Sequence, residues 1–324
     1  MVKRQHLANL ALFSCFFAFT VIALGAFTRL IDAGLGCPDW PGCYGHWVPT
    51  ALSNHKAWAE MIHRYFVGGL SGLILLNIII IFSQKTCRVR SNVILAILLI
   101  FLLTYQIILG QWTVTLKLLP IIVSQHLLGG FLILSILWLI YIINHLSHLT
   151  IKPLYSLLPW AVLGLIFLFL QIILGAWTST HYAALSCPDF PFCFNGKMNQ
   201  VMYFKDAFYS HTQIGLNYDG GLLPPPVRQT IHMVHRIGAL FLTSYLLIFL
   251  LIAMRYVENS MSLLRSIYVI FGLLFIQLCI GISNVIFKLP LTTAVAHTLV
   301  AALLLLAMLS FIVKLIYGKA LYDA

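Results

Sequence analysis

The chain has 324 residues, of which 61% are hydrophobic and only 8% are charged, and its mean hydropathy is +0.98. Soluble domains carry roughly 25% charged residues, so this composition excludes an ordinary soluble protein. The formal net charge of +11 does not indicate nucleic-acid binding, because Lys and Arg gather at the ends of apolar segments. A β-barrel is excluded because its strands would alternate apolar and polar residues.

Apolar segments long enough to cross a bilayer as helices recur along the whole chain. The first is too long for a cleaved signal peptide and lacks a small-residue cleavage site. No long Arg/Ser-rich presequence is visible, so we expect a bacterial plasma (inner) membrane rather than an organelle. The eight predicted spans are 7–28, 58–82, 92–114, 120–143, 157–179, 230–254, 263–286 and 291–315.

Basic residues predict the orientation of these spans. They cluster before the first span, in the second, fourth and sixth connections and near the end of the chain, which all fall on one side if the spans alternate. The positive-inside rule makes that side the cytoplasm, so we expect both termini there. The residues concerned are Lys3, Arg4, Lys85, Arg88, Arg90, Lys152, Arg255, Arg265, Lys314 and Lys319.

Two external connections contain nearly the same cysteine motif, CPDWPGC at 37–43 and CPDFPFC at 187–193. The outer compartment permits disulfides, and two prolines bend each loop, so a bridge within each loop is favoured. Zinc is the competing interpretation, but structural zinc sites prefer C-x2-4-C spacing and four ligands. The other cysteines, Cys15, Cys87 and Cys279, are interpreted as small apolar residues.

The loops belong to a larger internal duplication. Each copy holds four spans, so both copies have the same orientation and are related by an axis along the membrane normal. We therefore predict an all-α membrane protein of two tandem pseudo-symmetric four-helix bundles, residues 1–150 and 151–324, with an insertion at about 194–228. The matching segments are LGAFTRLIDAGLGCPDWPGC with LGAWTSTHYAALSCPDFPFC, EMIHRYFVGG with HMVHRIGALF, QIILGQWTV with QLCIGISNV, and KLLPIIVSQHLLGG with KLPLTTAVAHTLVA.

Four histidines lie inside the apolar spans, where ionisable side chains are costly and indicate function. One such histidine could simply bond to a neighbouring helix, but four at matching positions in both repeats are poorly explained that way. His63 and His126 both lie about 8–9 Å below the outer boundary, and His235 and His297 repeat that depth. The remaining histidines are interpreted as solvated residues of tails and loops: His6, His46, His55, His145, His148, His181 and His211.

Paired imidazoles on facing helices of a four-helix bundle are an arrangement that holds one haem iron. The pattern therefore predicts two haem sites near the outer surface, one per bundle. Zinc or copper would need further Cys, His or carboxylate ligands, which the spans do not supply.

The two repeats differ at one informative position. Glu60 precedes His63 by three residues on the same helical face, where the second repeat has His232. A carboxylate there can accept a proton or stabilise developing positive charge; the structural alternative is a polar residue solvated near the start of the helix.

Arginines near the buried histidines could bind haem propionates. Arg64 and Arg236 follow the first histidine of each repeat and could form bidentate pairs with propionates; the alternative is snorkelling to lipid headgroups. Arg29 and Arg228 are weaker candidates. Trp112 and Trp177 are assigned to the interfacial aromatic belt.

Together, ExxHR in the second span, a buried histidine in the fourth, HxxHR and a last buried histidine in the second half, and TRL…GLGCPDWPGC after the first span resemble haem A synthase. The resemblance covers essentially the whole chain. It implies oxidation of the C8 methyl of haem O to a formyl group, by successive hydroxylations at that carbon followed by loss of water, which gives haem A for terminal oxidases.

The resemblance also implies roles for individual residues. His63 and His126 would ligate the substrate haem, with Glu60 assisting catalysis at the oxidised methyl. His235 and His297 would ligate the iron of a resident haem b. Cys37–Cys43 and Cys187–Cys193 would be external disulfides capping the haem-binding bundles, with a redox or a bracing role left open.

The partners that the resemblance implies are haem O, the haem O-forming farnesyltransferase, cytochrome oxidase assembly factors and the lipid bilayer; no nucleic acid is expected, and a homo-oligomer is allowed. A diheme b-type electron-transfer protein is the first alternative, although such relays place haems toward opposite faces. A transporter is the second, although transporters interrupt their spans with Gly or Pro near the midplane.

Overall fold

The protein is all-helical in its computed structural model, which describes residues 2–50, 54–145, 154–194, 202–209 and 213–317. Within those ranges eight helices are long and apolar enough to cross a membrane, which confirms the predicted spans. In chain order the α-helices are α1 Val2–Leu30, α2 His55–Ser83, α3 Arg90–Thr115, α4 Pro120–His145, α5 Leu158–Thr180, the short α6 Phe204–Phe208, α7 Pro225–Tyr256, α8 Met261–Ile286 and α9 Leu291–Tyr317.

The helices are longer than the predicted apolar segments because capping residues and prolines at their ends favour additional helical turns. Helix α2 starts after Asn54, whose side chain accepts a hydrogen bond from the Ala57 N–H at 3.1 Å and caps the first turn. Helix α7 starts at Pro225, five residues before the predicted span, because proline is pre-set for the first helical turn.

The helices pack against one another both within each half and across the two halves. Helix α1 lies between α2 and α4, α3 packs on α4, and in the second half α5 packs on α7 and α9 while α8 packs on α9. Across the halves, α1 contacts α9, and α4 contacts both α5 and α9. One hydrophobic core, with Leu7, Phe131, Leu246 and Phe311 among its members, runs through both halves. The boundary at 150/151 falls outside the described residues, and the division into two domains stays a prediction.

The duplication is visible in the backbone. Asp32 and Tyr182, which match at an offset of 150, both have positive φ. The pair Lys117 and Leu118 matches Lys288 and Leu289, and all four have positive φ. The peptide bonds before Pro41 and Pro191 are both cis. These turns reverse the chain at the same points in both repeats, so equivalent helices enter the bundle at equivalent heights.

Polar contacts tie the connections together at the two ends of the molecule. At the end with the cysteine loops, the Tyr218 N–H donates to the Lys117 carbonyl at 3.1 Å. At the opposite end, Arg4 Nε donates to the Thr86 carbonyl at 2.7 Å. Four predicted loop or tail residues, His148, Lys152, His211 and Lys319, lie outside the described residues.

The prediction that seven histidines lie in tails and loops is wrong for several of them, although His6, His55 and His145 are exposed as predicted. His6 lies within α1, His55 begins α2 and His145 ends α4. His181 follows α5 but is only 8% exposed, because its ring packs on Trp177 with ring centroids 4.2 Å apart. The indole N–H of Trp177 donates to the Ala207 carbonyl at 2.8 Å, and its place in the aromatic belt stays a prediction.

Candidate functional site

The four intramembrane histidines form two pairs in the structure. His63 of α2 and His126 of α4 are close enough for their imidazoles to interact electrostatically. His235 of α7 and His297 of α9 interact in the same way. His126 and His297 lie six residues after the first residues of α4 and α9, and His63 and His235 lie eight and ten residues after those of α2 and α7. Among the described residues no group of three or more His, Cys, Asp or Glu could hold a metal ion, so a pure side-chain metal site is not assembled here.

A glycine on a neighbouring helix faces each of the four rings. A Cβ atom placed on Gly25, Gly110, Gly175 or Gly281 would lie 3.1, 3.5, 3.3 and 3.1 Å from Cε1 of His63, His126, His235 and His297 respectively. Because glycine has no side chain, these four positions leave room for the histidine rings. The sequence analysis missed them, although a signal existed: each ends a segment that reads Q/V-x-x-L/I-G.

Several polar atoms around these rings are buried without a hydrogen-bond partner. They include Nδ1 of His63, His126 and His297. Buried polar groups are rarely left unpaired, and such exceptions point to a missing ligand, ion or water. Neutral imidazoles in facing pairs, with small residues beside them, fit the bis-histidine ligation of a haem iron. The residues present therefore fit a haem in each half.

The first cysteine loop is fastened to α2 directly above His63. Glu60, only 5% exposed, accepts a hydrogen bond from the Cys37 N–H at 2.7 Å and forms an ion pair with Arg64. Arg64 also donates to the carbonyls of Asp39 at 2.9 Å, Pro41 at 3.2 Å and Gly42. Its guanidinium therefore holds the loop down on the helix that bears the histidine.

The second loop is fastened in the same way with one substitution. His232 Nδ1 lies 3.3 Å from the Cys187 backbone nitrogen, and its Nε2 lies 3.2 Å from Arg236 Nε. A neutral imidazole accepts at one nitrogen only, so the ring accepts a hydrogen bond from one of these two donors. Arg236 also donates to the carbonyls of Cys187, Asp189, Pro191 and Phe192 at 2.7–3.3 Å. Glu60 and His232 thus perform the same anchoring task, and only the first half does so with a carboxylate.

Both loops are closed by disulfides, as predicted. Cys37 is bonded to Cys43 and Cys187 to Cys193, and all four residues are fully buried. Gly36 lets the first loop approach α2, because a Cβ there would lie 2.5 Å from the Lys56 carbonyl oxygen.

Asp39 stabilises the turn of the first loop. Its carboxylate accepts hydrogen bonds from the N–H groups of Tyr44 at 2.6 Å and Gly45 at 2.8 Å. These bonds, that from Gly45 above all, together with the positive charge of Arg64, hold the pKa of Asp39 below its ordinary value. The turn therefore prefers the ionised carboxylate.

The arginines predicted at haem propionates are placed differently from one another. Arg64 and Arg236 bind loop carbonyls, so their propionate role stays a prediction. Arg29 donates to the Ser179 carbonyl at 2.8 Å and lies 3.8 Å from the centroid of the Tyr182 ring, so it links the C-terminal ends of α1 and α5. Arg228 is different, because its Nε is buried with no partner.

Comparison with known proteins identifies relatives over nearly the whole chain. Residues 8–309 match the family model COX15-CtaA, described as cytochrome oxidase assembly protein. Haem A synthase of Shewanella oneidensis is 42% identical over 313 residues, covering 91% of this chain and 92% of that protein. Haem A synthase of Bacillus cereus strain AH187 is 26% identical over 302 residues, covering 91% and 88%.

Proposed function

The chain belongs to the haem A synthase family of cytochrome oxidase assembly proteins, and from that premise we propose how its residues divide the work. It is a multi-pass membrane oxidoreductase that acts in haem A formation for cytochrome oxidase. The substrate is haem O, whose C8 methyl group becomes a formyl group. The relatives favour this function over a diheme electron-transfer protein and over a transporter.

We propose that the first half binds the substrate and the second half a resident haem b. His63 and His126 would be the axial ligands of haem O, and His235 and His297 those of haem b. A bound haem b supplies one-electron redox chemistry. The observation that carries this division is the asymmetry at one position, where the first half has a carboxylate and the second has His232.

Glu60 is the group proposed to act at the methyl carbon. Conversion of a methyl to a formyl group releases protons, and general bases in enzymes must lie within reach of the proton that they accept. Glu60 is the one carboxylate buried in the described part of the chain, and it lies on the same helix face as His63. A carboxylate has about four lone-pair positions, so bonds to Cys37 and Arg64 leave capacity for a proton on Oε1 or Oε2.

The anchored loops would exclude water from both sites. Arg64 and Arg236 hold the two loops against the helices that bear His63 and His235, and the buried disulfides keep each loop closed. Exclusion of water strengthens electrostatic interactions within a site and prevents side reactions. The loops would therefore act as caps.

Arg228 is the strongest candidate for a propionate of the second haem. It precedes His235 by seven residues, which places it on the same face of α7 and about 10 Å nearer the outer end. Its unpartnered Nε is a charged donor of the kind that pairs with carboxylates. We keep Arg64 and Arg236 as predicted propionate contacts that would share their guanidinium groups with the loops.

The proposed topology puts both cysteine loops outside and both termini in the cytoplasm of a bacterial inner membrane. Support comes from the two disulfides, which persist in an oxidising compartment, and from the basic residues at the opposite ends of the helices. The farnesyltransferase that forms haem O and the assembly factors of cytochrome oxidase remain the proposed partners.

The direct test of the function is haem extraction from cells that express the chain together with a source of haem O. We expect chromatography and mass spectrometry to detect the formyl product only when the chain is present. A culture that accumulates haem O and contains no haem A, despite membrane insertion of the chain, would contradict the proposed reaction.

A further inference from the structure

The insertion of the second repeat carries an exposed aromatic cluster around the short helix α6. Four of the seven residues from 203 to 209 are aromatic, namely Tyr203, Phe204, Phe208 and Tyr209, and each is 41–60% exposed. The proposed haem chemistry uses none of them. An exposed apolar cluster of this kind marks a surface that meets another molecule or a membrane.

Two hydrogen bonds fix the height of α6 relative to the membrane-spanning helices. The Tyr203 N–H donates to the Thr230 hydroxyl of α7 at 3.1 Å, and the Ala207 carbonyl accepts from the Trp177 indole of α5 at 2.8 Å. Thr230 is the first residue of its predicted span, and Trp177 lies two residues inside the end of its own, about 3 Å along the helix axis. Both ends of α6 are therefore attached at the outer boundary of the hydrocarbon layer, and α6 lies roughly parallel to that boundary.

The side chains of α6 point in three directions at this height. Because a helix turns about 100° per residue, Phe204 and Phe208 share one face, and Lys205 and Asp206 lie on the other side of the helix. Ala207 is fully buried against the body of the protein, whereas Lys205 and Asp206 are exposed. A helix in the membrane interface has this pattern, with its apolar face in the acyl boundary and its charged face toward water.

A packing contact connects α6 with the second cysteine loop. Met202, the residue before Tyr203, packs against the cluster formed by Cys187, Cys193 and Met233. The first repeat lacks the insertion, so its cysteine loop has no counterpart of this contact. Attachment of α6 to the bilayer would therefore brace the cap of the second half only.

We propose that residues 203–209 form a membrane anchor in the phospholipid headgroup layer on the side of the cysteine loops, with Phe204 and Phe208 inserted toward the acyl chains. Through Met202, the anchor holds the second disulfide loop at the bilayer surface. This role goes beyond haem A formation and does not depend on the assignment of the haem sites.

A lipid surface fits this cluster better than a protein partner does. The attachment points of α6 coincide with the hydrocarbon boundary given by the predicted spans, and aromatic side chains are enriched at that depth. A protein that docked from the aqueous side would instead meet the charged face with Lys205 and Asp206.

Photocrosslinking of the full-length chain in nanodiscs tests the orientation of α6. The discs contain phosphatidylethanolamine and phosphatidylglycerol, and p-benzoylphenylalanine replaces Phe204. After illumination we expect intact-mass spectrometry to detect a mass increase of one phospholipid. The matched control places the same photoprobe at Asp206, on the charged face of the same helix, and should give no phospholipid adduct.

Three results of the photocrosslinking would overturn the proposal. Equal phospholipid adducts from the probes at Phe204 and Asp206 would contradict the orientation of the helix. Consumption of the probe at Phe204 without any lipid adduct would contradict the anchor. An adduct with a copurified protein, or with a second copy of the chain, would assign this face to a protein partner.

Hydrogen exchange in the same discs tests the bracing of the second loop. Phe204→Ser combined with Phe208→Ser should accelerate exchange at residues 187–193 by roughly tenfold, because loss of two phenyl rings from the acyl boundary weakens the attachment, and should leave residues 37–43 unchanged. Lys205→Ser should leave both loops unchanged. Equal acceleration in both loops, or none in the second, would overturn the bracing role. Failure of the wild-type chain to form haem A would refute the proposed function alone, since neither readout depends on haem.

Discussion

The two halves of the molecule share a scaffold and differ at a few side chains. Both have an Arg-anchored loop closed by a disulfide, a pair of facing histidines and a glycine beside each ring. They differ at Glu60 against His232, and at Val21 against Gln171. The first difference places a buried carboxylate at the loop anchor of the first half only. The second places an amide side chain beside a histidine ring in the second half, where the first half has the backbone of Val21. The proposed division between chemistry in the first half and cofactor binding in the second therefore rests on few side chains.

The largest effect is expected from replacing Glu60 of the first half by histidine, the residue at the matching position of the second half. Glu60→His should keep an acceptor for the Cys37 N–H, as His232 does in the second loop, but should lower haem A formation by about 100-fold or more, the usual share of a general base. The measurement is the ratio of haem A to haem O in extracted membranes.

Glu60→Ala is the companion variant, and it should also block conversion while haem b stays bound. It additionally removes the ion-pair partner of Arg64 and the acceptor of the Cys37 N–H, so it should lower stability, whereas Glu60→His should not. Full turnover in Glu60→His would reduce Glu60 to a loop anchor and remove the proposed chemical difference between the halves.

The glycines beside the rings provide the next test. Gly175→Leu should abolish haem b binding, because even a Cβ there lies 3.3 Å from Cε1 of His235 and a larger side chain would displace the ring. The reduced absorption spectrum of the purified protein reports the loss. Gly272→Leu in α8 is the matched control, since a Cβ there has nothing within 4 Å and leucine has a higher helix propensity than glycine.

Retention of haem b in Gly175→Leu would contradict the placement of the cofactor against that helix. Loss of haem b in both variants would show that the effect comes from the helices in general and not from the space beside the ring.

A smaller effect, equal in both halves, is expected from the disulfides. Replacing Cys37 and Cys43 by serine should lower the free energy of unfolding by roughly 2 kcal/mol, as chain-entropy estimates give for so short a loop. Replacing Cys187 and Cys193 should cost about the same, because Arg64 and Arg236 hold the two loops alike. Thermal denaturation in detergent measures both. Destabilisation by one pair only would break the equivalence of the two caps.

The smallest effect is the acid response of the first loop. The pKa of Asp39 is lowered in the folded protein, chiefly by the Gly45 N–H, so its ionised form stabilises the turn. That contribution is complete above the ordinary carboxyl pKa of about 3.9 and is lost as the pH falls through the lower folded value. Amide exchange at Tyr44 and Gly45 should therefore accelerate only under about pH 4, and Asp39→Asn should show no such pH dependence. Acceleration near neutral pH would contradict this.

Much of the fold follows from sequence because its signals are long and repeated. Eight apolar segments fix the helices, and the cysteine motif fixes the loops. The histidine pairs follow from their equal depth. The role of Arg64 does not follow from sequence, because its position after His63 is compatible with a haem propionate and with the cysteine loop. The folded structure shows that its donors reach three loop carbonyls.

The supporting side chains were not found from sequence for a similar reason. Gln171 and Gly175 belong to α5, which carries none of the four paired histidines, and their relation to His235 depends on how α5 and α7 are rotated against each other. Hydrophobic periodicity does not determine that rotation when a helix is apolar on all sides. The sequence signal was the segment Q/V-x-x-L/I-G, which occurs four times. Its role becomes clear only in the structure, where the glycine of each copy lies beside a histidine ring.

The most direct test of the two-site account is the haem content of His63→Ala and His235→Ala purified in parallel after coexpression with a haem O source. The account predicts that His63→Ala keeps haem b and loses haem O and haem A, and that His235→Ala loses haem b. His145→Ala, at the opposite end of α4, should keep both haems. Unchanged haem b in His235→Ala, or loss of haem b in His63→Ala with haem O retained, would contradict the assignment of the two halves.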